Sequence, residues 1–390
     1  MGTLRIVADE NIPYIAEAFA SLGTVTCLPG RAIVPESVRD ADVLLVRSVA
    51  QVNEKLLAGS AVKFVATATI GREHVDEAYL SDRGIGFASA PGSNSNSVAE
   101  YVTAALLAWA ERRRIKLASQ TLGVVGVGQV GSKVVAKAAA LGMTVLCNDP
   151  PLKRCGRHDD FIELDEMLGQ VDAITFHVPL SAVGEDPTMH MIDATLLERL
   201  KDGTLVINSS RGGVHDTAAV LAAQDGRRAE DREVLDLVLD VWEGEPNIAL
   251  PLLEETLLAT PHIAGYSFDG KLAGTMMIYR AACAYFNQPA PWSLPADLPG
   301  PAHPVIDIDT DRLNDQDIAR LAVRHAYDIE WDDAALRLID DHPPESQGLY
   351  FDRLRKQYAV RREFPAGSVR LSGDRPEAAK MLTGLGFKVV

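Results

Sequence analysis

Three side chains that could bind a carboxylate and move a proton follow short apolar segments typical of buried strands. They are Arg211 after TLVINSS, Glu245 shortly after LDLVLDVW, and His262 in TPHIAG. Imidazole titrates near neutral pH, so His262 can exchange a proton, and Glu245 can hold the ring and favour its protonated form. Arg211 can bind a carboxylate through two parallel hydrogen bonds and polarise a forming carbonyl. Together these groups suit the oxidation of a 2-hydroxy acid, although each alone could be a turn histidine, a solvated glutamate or an arginine at a helix end.

Such an oxidation needs a hydride acceptor, and a glycine motif provides a place for one. The motif G-x-G-x-x-G consists of Gly126, Val127, Gly128, Gln129, Val130 and Gly131, between an apolar strand pattern and an apolar helix pattern. The first glycine permits a tight turn, the second lets a pyrophosphate approach the backbone, and the third allows close packing of helix and strand. Asp149, at the end of the next strand pattern, can accept hydrogen bonds from ribose hydroxyls and repels a 2′-phosphate. The motif therefore predicts a cofactor site for NAD rather than NADP, with a flavin or another nucleotide as the alternative.

The segments around these residues must bring them together. Short apolar runs alternate with helical patterns through residues 1–95 and again from about 121 to 245, which predicts parallel α/β layers. Ligands of such sheets bind beyond the carboxyl ends of the strands. Arg211, Asp240, Glu245 and His262 all follow predicted strands, so we expect them to meet at one crevice, with Asp240 where a strand end meets the nicotinamide.

Composition excludes several functional classes. The 390 residues carry a formal net charge of −16, which disfavours nucleic acid and anionic membranes as partners. An anionic substrate would therefore need a local cluster of arginines and amide donors. The four cysteines form no CxxC pair, and the sequence gives no metal site. No apolar run approaches the ~18 residues of a membrane span, and the start lacks a signal-peptide pattern, so we expect a cytoplasmic protein.

The order of the glycine motif followed by Arg211, Glu245 and His262 resembles the D-2-hydroxyacid dehydrogenase superfamily over about residues 1–286. The resemblance implies an NAD domain inserted into a split substrate domain, both Rossmann-like with doubly wound parallel sheets. It also implies that His262 is the acid/base, Glu245 its partner and Arg211 the substrate anchor, with Asp240 on the nicotinamide side of NAD.

A narrower resemblance, to a subfamily that oxidises 4-phospho-D-erythronate in vitamin B6 synthesis, is carried by VRSVAQVNEKLL, KFVATATIGREHVD, LDVWEGEP and HIAGYS. It implies the product 2-oxo-3-hydroxy-4-phosphobutanoate, a tightly held NAD that a 2-oxo acid reoxidises, and a homodimer. By this resemblance Ser48, Thr69 and Tyr266 contact substrate and Gly265 lies near the cofactor, while Arg47 beside Ser48 could add positive charge. Ser48 and Thr69 could instead cap turns.

The predicted domain boundaries follow from the resemblance and from a segment with six prolines between Gln288 and Pro304, which is typical of a stiff linker. We expect a first part of the substrate domain (1–97), the NAD domain (98–256), a return segment (257–287), the linker (288–304) and a C-terminal α+β dimerisation domain (305–390). We also expect QDGRRAEDREV (224–234) to be a surface loop, and the sequence leaves the direction of Arg72 open.

Two other functions stay open at this point. The chain could be another superfamily member, such as a 3-phosphoglycerate dehydrogenase, or a non-catalytic protein that senses NAD with the same fold. The second alternative has no need for the set formed by Arg211, Glu245 and His262.

Overall fold

The strands of this computed structural model, which describes residues 3–156 and 160–390, are short and largely buried. Their sequences are rich in valine, isoleucine and leucine, as expected for parallel sheets covered on both faces. Within the described residues the strands are β1 (Leu4–Asp9), β2 (Gly23–Leu28), β3 (Val43–Val46), β4 (Phe64–Thr67), β5 (Gly86–Ala88), β6 (Thr121–Val125), β7 (Thr144–Asn148), β8 (Ala173–Phe176), β9 (Leu205–Asn208), β10 (Asp236–Leu239), β11 (Leu258–Ala259), β12 (Val305–Ile308), β13 (Ser368–Leu371) and β14 (Lys388–Val389).

Half of the helices described below begin at a side chain that accepts a hydrogen bond from an amide of the first turn; Asp149, Asp216 and Ser267 are examples. Within the same residues the helices are α1 (Ile15–Phe19), α2 (Pro35–Val38), α3 (Glu54–Leu57), α4 (Glu77–Asp82), α5 (Ser95–Arg113), α6 (Gly131–Ala140), α7 (Pro150–Arg154), α8 (Leu164–Leu168), α9 (Ala194–Arg199), α10 (Thr217–Ala229), α11 (Leu250–Glu254), α12 (Phe268–Tyr285), α13 (Asp315–Ala326), α14 (Ile329–Arg337), α15 (Pro344–Lys356) and α16 (Pro376–Leu385). None of these described helices is long and apolar enough to cross a membrane.

The chain folds into two compact units. The first comprises Met1–Ser95 and Ser267–Pro299, and the second comprises Asn96–Tyr266 and Gly300–Val390. The expected α/β fold, with a split first domain and an inserted second one, is confirmed. The individual domain boundaries stay a prediction.

In the first unit, five parallel strands form a sheet in the order β2-β1-β3-β4-β5. Alternate residues of a strand point to opposite faces. Val43 and Leu45 of β3 accordingly join the core under α1 and α12, whereas Leu44 and Val46 join the core under α2 to α4. Because both faces are covered, all of β3 is buried.

The second unit contains a six-stranded sheet in the order β11-β10-β9-β8-β6-β7, with all strands parallel. The register places Asn208, Leu239 and Ala259 level at the ends of three neighbouring strands, and Val125 level with Phe176. The loops after these residues therefore open at one edge of the sheet. The strand order reverses between β6 and β8, which is where open α/β sheets bind their ligands.

The C-terminal extension, residues 305–390, combines α13 to α16 with a parallel three-stranded sheet, β12-β13-β14. It packs against the six-stranded part of the same unit. The Lys137 ammonium of α6 donates to the main-chain oxygen of Leu385 at 2.5 Å, and the carboxylate of Asp333 accepts from the amide of Ala259 at 2.8 Å. The extension thus contacts both α6 and the edge strand β11.

The prediction of a surface loop over 224–234 is wrong for its first half, because α10 continues to Ala229. Gln224 and Arg227 are buried there. The Gln224 amide bonds both main-chain groups of Leu235, and Arg227 donates to Asp202 and to two main-chain oxygens. These partners are distant in sequence, so the polar composition of the segment concealed a packed helix.

Candidate active site

Arg211 lies three residues beyond β9, in a loop organised by Asn208. Asn208 is fully buried; its amide nitrogen donates to the main-chain oxygen of Arg211 at 3.0 Å. Its amide oxygen accepts from the main chain and the hydroxyl of Ser210, at 3.1 and 2.8 Å. The Arg211 guanidinium donates to the main-chain oxygen of Ser210 at 2.8 Å and is only partly buried. The loop therefore presents a cation at the ligand edge of the sheet.

His262 and Glu245 form the contact that the sequence predicts. His262 Nδ1 lies 2.5 Å from Glu245 Oε1, and the two side chains are 29% and 25% exposed. Burial on its own would raise the pKa of Glu245. The hydrogen bond from His262 and the charges of His262 and Arg355 outweigh it, so the pKa of Glu245 lies below its usual value. Glu245 is therefore a carboxylate that accepts from Nδ1, which leaves Nε2 of His262 to accept a proton.

The backbone of His262 is left-handed, with φ of 56°. This conformation costs a non-glycine residue roughly 1–2 kcal/mol, so neighbouring contacts must hold it. The main-chain oxygen of Asp240 accepts from the amide of His262 at 2.7 Å. The Asp240 carboxylate accepts from the amides of Ile263 and Ala264 at 2.7 and 3.0 Å, and from the Thr260 hydroxyl at 2.7 Å.

Asp240 is only 1% exposed, and burial is the largest influence on its pKa, which it raises against these hydrogen bonds. In the described residues Asp240 thus acts as the anchor of the histidine loop. A carboxylate has about four acceptor positions, and these hydrogen bonds do not use all of them. A further contact of Asp240 with the nicotinamide side of NAD is therefore possible in geometry and stays a prediction.

The glycine motif has the geometry that a dinucleotide requires. Gly126 has φ of 84°, and a Cβ there would lie 2.6 Å from the main-chain oxygen of His177. A Cβ on Gly131 would lie 2.0 Å from the main-chain oxygen of Gly126, whereas a Cβ on Gly128 would meet nothing within 4 Å. The backbone at Gly128 and the exposed Gln129 is thus open for a pyrophosphate at the start of α6, where the positive end of the helix dipole lies. The residues present therefore fit NAD.

Asp149 joins the glycine motif to the end of β7. One carboxylate oxygen accepts from the amide of Val127 at 2.8 Å, and the other caps α7 by accepting from the amide of Leu152 at 3.0 Å. Its predicted contact with the ribose hydroxyls is compatible with this position and stays a prediction.

Gly265 and Tyr266 continue the histidine loop, and the C-terminal extension packs against Tyr266. The Tyr266 ring packs edge-to-face on Tyr358 with centroids 6.0 Å apart, and the guanidinium of Arg355 lies 5.8 Å from its centre. Arg355 also contributes to the charge around Glu245. Arg355 was not predicted from the sequence, because it belongs to a region without any motif.

In the first unit, the predicted substrate residues lie beyond the ends of β3 and β4. Ser48 is exposed, and Arg47 donates to the main-chain oxygen of Asn11 at 3.5 Å. The Thr69 hydroxyl lies 2.7 Å from that of Thr67 and donates to the main-chain oxygen of Gly71 at 3.0 Å, so it does cap a turn.

The direction of Arg72, which the sequence left open, is set by an ion pair. Its guanidinium pairs with Glu77 at 3.2 Å, and both side chains are largely exposed. The partner lies on α4, only five residues further along the chain.

Comparisons with known proteins show the family of the chain. Residues 96–264 match the family model described as D-isomer specific 2-hydroxyacid dehydrogenase, NAD binding domain. Residues 298–386 match a domain family of unknown function. The structure is similar to D-lactate dehydrogenase from Aquifex aeolicus complexed with NAD and lactic acid, at 26% identity and a TM-score of 0.59 over 73% of this chain and 95% of that one. It also shares its fold with NAD-bound 3-phosphoglycerate dehydrogenase of Entamoeba histolytica, at 22% identity and a TM-score of 0.62 over 76% of this chain and all of that one.

Relatives of similar length extend the match to the whole chain. Erythronate-4-phosphate dehydrogenase of Pseudomonas syringae pv. syringae (strain B728a) is 44% identical over 99% of this chain and 100% of its own length. The enzyme of the same name from Salmonella paratyphi A (strain ATCC 9150 / SARB42) is 44% identical over 99% of both chains. The chain therefore belongs to the erythronate-4-phosphate dehydrogenase family and carries the NAD-binding domain of the D-isomer specific 2-hydroxyacid dehydrogenases.

Proposed function

We propose that the protein oxidises the 2-hydroxyl of 4-phospho-D-erythronate to give 2-oxo-3-hydroxy-4-phosphobutanoate, with NAD as the hydride acceptor, in vitamin B6 synthesis. The observation that carries the proposal is the contact between His262 and Glu245, at the sheet edge that also bears the glycine motif. The relatives that are 44% identical over nearly the whole chain, and the name that they share, support the substrate.

His262 is the group that takes the proton from the substrate in this proposal. Its Nδ1 faces the Glu245 carboxylate, so Nε2 takes the hydroxyl proton as the hydride leaves C2 of the substrate. The alcohol thereby loses one hydride and one proton, and the resulting imidazolium is stabilised by Glu245. NAD, when bound, supplies the acceptor for the hydride.

Arg211 anchors the substrate carboxylate. A guanidinium can form two parallel hydrogen bonds with a carboxylate and keeps its charge at any working pH. Because the carboxylate adjoins C2, this cation also polarises the forming carbonyl. The net charge of −16 makes such a local cation necessary for an anionic substrate.

Further contacts follow the resemblance. We assign the cofactor to Gly126, Gly128, Gln129, Val130, Gly131, Asp149, Asp240 and Gly265, and the substrate also to Arg47, Ser48, Thr69 and Tyr266. The open backbone at Gly128 supports the first group. The exposed hydroxyl of Ser48 beyond a strand end supports the second.

A homodimer and a 2-oxo acid as electron acceptor complete the proposal. Large apolar side chains of the C-terminal extension are exposed, including Trp331 at 78%, Leu349 at 69% and Val360 at 58%. A contiguous exposed apolar patch is typical of an interaction surface, and we propose that these side chains form one in the homodimer. The mass of the full-length protein in solution tests the dimer.

Two variants test the chemistry. His262→Asn removes the proton acceptor and should reduce kcat by about 10²- to 10⁴-fold, with the dissociation constant for NAD nearly unchanged. Glu245→Gln keeps the shape of the partner but removes its charge, so kcat should also fall. Steady-state kinetics with 4-phospho-D-erythronate and fluorescence titration with NAD measure both. Wild-type turnover of His262→Asn would refute the mechanism, and NAD binding without any turnover by the wild type would favour an NAD sensor.

A further inference from the structure

The loop that carries His262 is held from two sides, and the second side is the C-terminal extension. Asp240 binds the amides of Ile263 and Ala264 from the end of β10. These hydrogen bonds hold the two amide groups of the loop. The main-chain oxygen of Ala264 takes no part in them and accepts hydrogen bonds from other residues.

That oxygen is bound by Ser97 and Arg361. The Ser97 hydroxyl donates to it at 2.7 Å and Arg361 Nη2 donates to it at 2.8 Å. The same nitrogen donates to the main-chain oxygen of Ser97 at 3.2 Å and to its hydroxyl. Ser97 lies in the first turn of α5, whereas Arg361 lies between α15 and β13 in the extension. One guanidinium nitrogen therefore joins the extension, α5 and the loop of His262.

The burial of a charged side chain at Arg361 is not explained if this residue only attaches the extension. It is 7% exposed, and its guanidinium stacks 4.2 Å from the centre of the Tyr327 ring. Within the described residues its Nε and Nη1 are buried without a hydrogen-bond partner. A buried charge is costly, and packed apolar residues hold two surfaces together as well or better. The acidic side chains of Glu100 and Asp332 supply opposite charge near the guanidinium, while its hydrogen bonds go to Ala264 and Ser97.

We propose that Arg361 is a positioning residue for the reaction: by holding the main-chain oxygen of Ala264 it keeps the imidazole of His262 against Glu245. The inference rests on the proposed function, in which His262 takes the substrate proton. It gives the C-terminal extension a role in turnover that is separate from subunit association. Arg361 itself touches neither substrate nor cofactor in this account.

The test uses the full-length protein with Arg361→Met, which keeps an apolar stem but removes the donors. We expect kcat to fall by about 10- to 100-fold, because small displacements of a catalytic group have effects of this size. KM for 4-phospho-D-erythronate should stay within about threefold, since Arg211 is unchanged. The value of kcat is calculated per mole of bound NAD, so that unfolded protein in the sample does not lower it. Arg361→Lys retains a cation and should restore part of kcat.

Arg370→Met is the matched control. Arg370 belongs to the same extension, is 58% exposed and pairs with Asp307 at 2.9 Å, so its variant should match the wild type. The primary isotope effect with substrate deuterated at C2 separates positioning from general weakening. A misplaced His262 slows the chemical step and should raise the isotope effect in Arg361→Met, whereas loss of folded protein would not.

The outcomes are distinct. If His262→Asn loses turnover but Arg361→Met keeps the wild-type kcat and isotope effect, the inference on Arg361 is wrong and the proposed function stands. If both variants turn over normally, the role of His262 in proton transfer is refuted together with the inference, and if the wild type itself oxidises no 4-phospho-D-erythronate, the proposed function fails. Should Arg361→Met fail to bind NAD, Ser97→Ala replaces it, because the Ser97 hydroxyl shares the same acceptor. Wild-type kcat and isotope effect in Ser97→Ala would then count against the inference, and a lower kcat with a raised isotope effect would support it.

Discussion

Replacing Asp240 with asparagine should loosen the loop of His262, because the Asp240 carboxylate binds two amides of that loop. One Asp240 oxygen accepts from the Thr260 hydroxyl and the amide of Ile263, and the other accepts from the amide of Ala264. If the asparagine oxygen accepts from the first pair, its NH₂ group faces the amide of Ala264. That amide then loses its acceptor, and the NH₂ group is a second buried donor without an acceptor at that position. An unsatisfied buried donor costs about 1–3 kcal/mol.

Part of this cost is offset, because burial raises the pKa of Asp240 and a neutral amide avoids the desolvation of a charge. The net effect on local opening should be about 1–3 kcal/mol, which corresponds to amide exchange that is roughly 5- to 150-fold faster. Hydrogen exchange of the peptide that contains Ile263 and Ala264, followed by mass spectrometry, measures it. In the same variant kcat should fall by about 10²-fold.

Asp236→Asn is the control for this experiment. Asp236 lies at the other end of β10 and accepts from the Trp109 indole at 2.8 Å and from Arg113 at 2.5 Å. Its variant should leave both exchange in the histidine loop and kcat near wild type. If Asp240→Asn instead weakens NAD binding while hydrogen exchange in the histidine loop is unchanged, Asp240 does not anchor the loop. A direct contact between Asp240 and NAD would then explain the result.

Three further predictions address the cofactor, the substrate and pH. Asp149→Ser keeps a helix cap but removes the charge that repels a 2′-phosphate, so the preference of kcat/KM for NAD over NADP should fall by about tenfold or more. Arg211→Lys keeps the charge but not the planar fork, and kcat/KM for 4-phospho-D-erythronate should fall by about 10- to 100-fold. Burial, with the charge of Glu363, raises the pKa of Glu100 from 4.5 to about 8. Between those values the folded state keeps a proton that the unfolded state has lost, so wild-type stability falls as pH rises. Glu100→Gln has no such proton, and its free energy of urea unfolding should fall less steeply between pH 5 and 8, by at most about 1.4 kcal/mol per pH unit; equal slopes would contradict this.

Local patterns were enough to predict the sheets and the positions of the main site residues. Parallel strands that are buried on both faces leave continuous apolar runs, as VLLV in β3 and TLGVV in β6 show. The carboxyl ends of all strands in a parallel sheet lie at one edge. A polar residue that directly follows an apolar run is therefore predicted to lie at that edge. The contact of His262 with Glu245 follows from that rule together with the resemblance.

The supporting residues could not be predicted in the same way. Arg361 and Ser97 are 264 positions apart, and Arg337 bonds the main-chain oxygen of Leu253, 84 positions away. No periodicity or motif marks such pairs, because the contact exists only after the extension has packed on the six-stranded part of the second unit. Asn208 differs from these pairs, because the sequence shows an asparagine at the end of an apolar run, three residues before Arg211. The structure adds that this asparagine is buried.

The central claim is tested most directly by the product. Purified protein is incubated with 4-phospho-D-erythronate and with 2-oxoglutarate as electron acceptor, and mass spectrometry follows the sugar acid. This readout does not depend on NADH leaving the enzyme. We predict that a product lighter by two hydrogens accumulates over many turnovers with the wild type and not with His262→Asn. Absence of that product while NAD is bound, or much faster oxidation of 3-phosphoglycerate, would contradict the account.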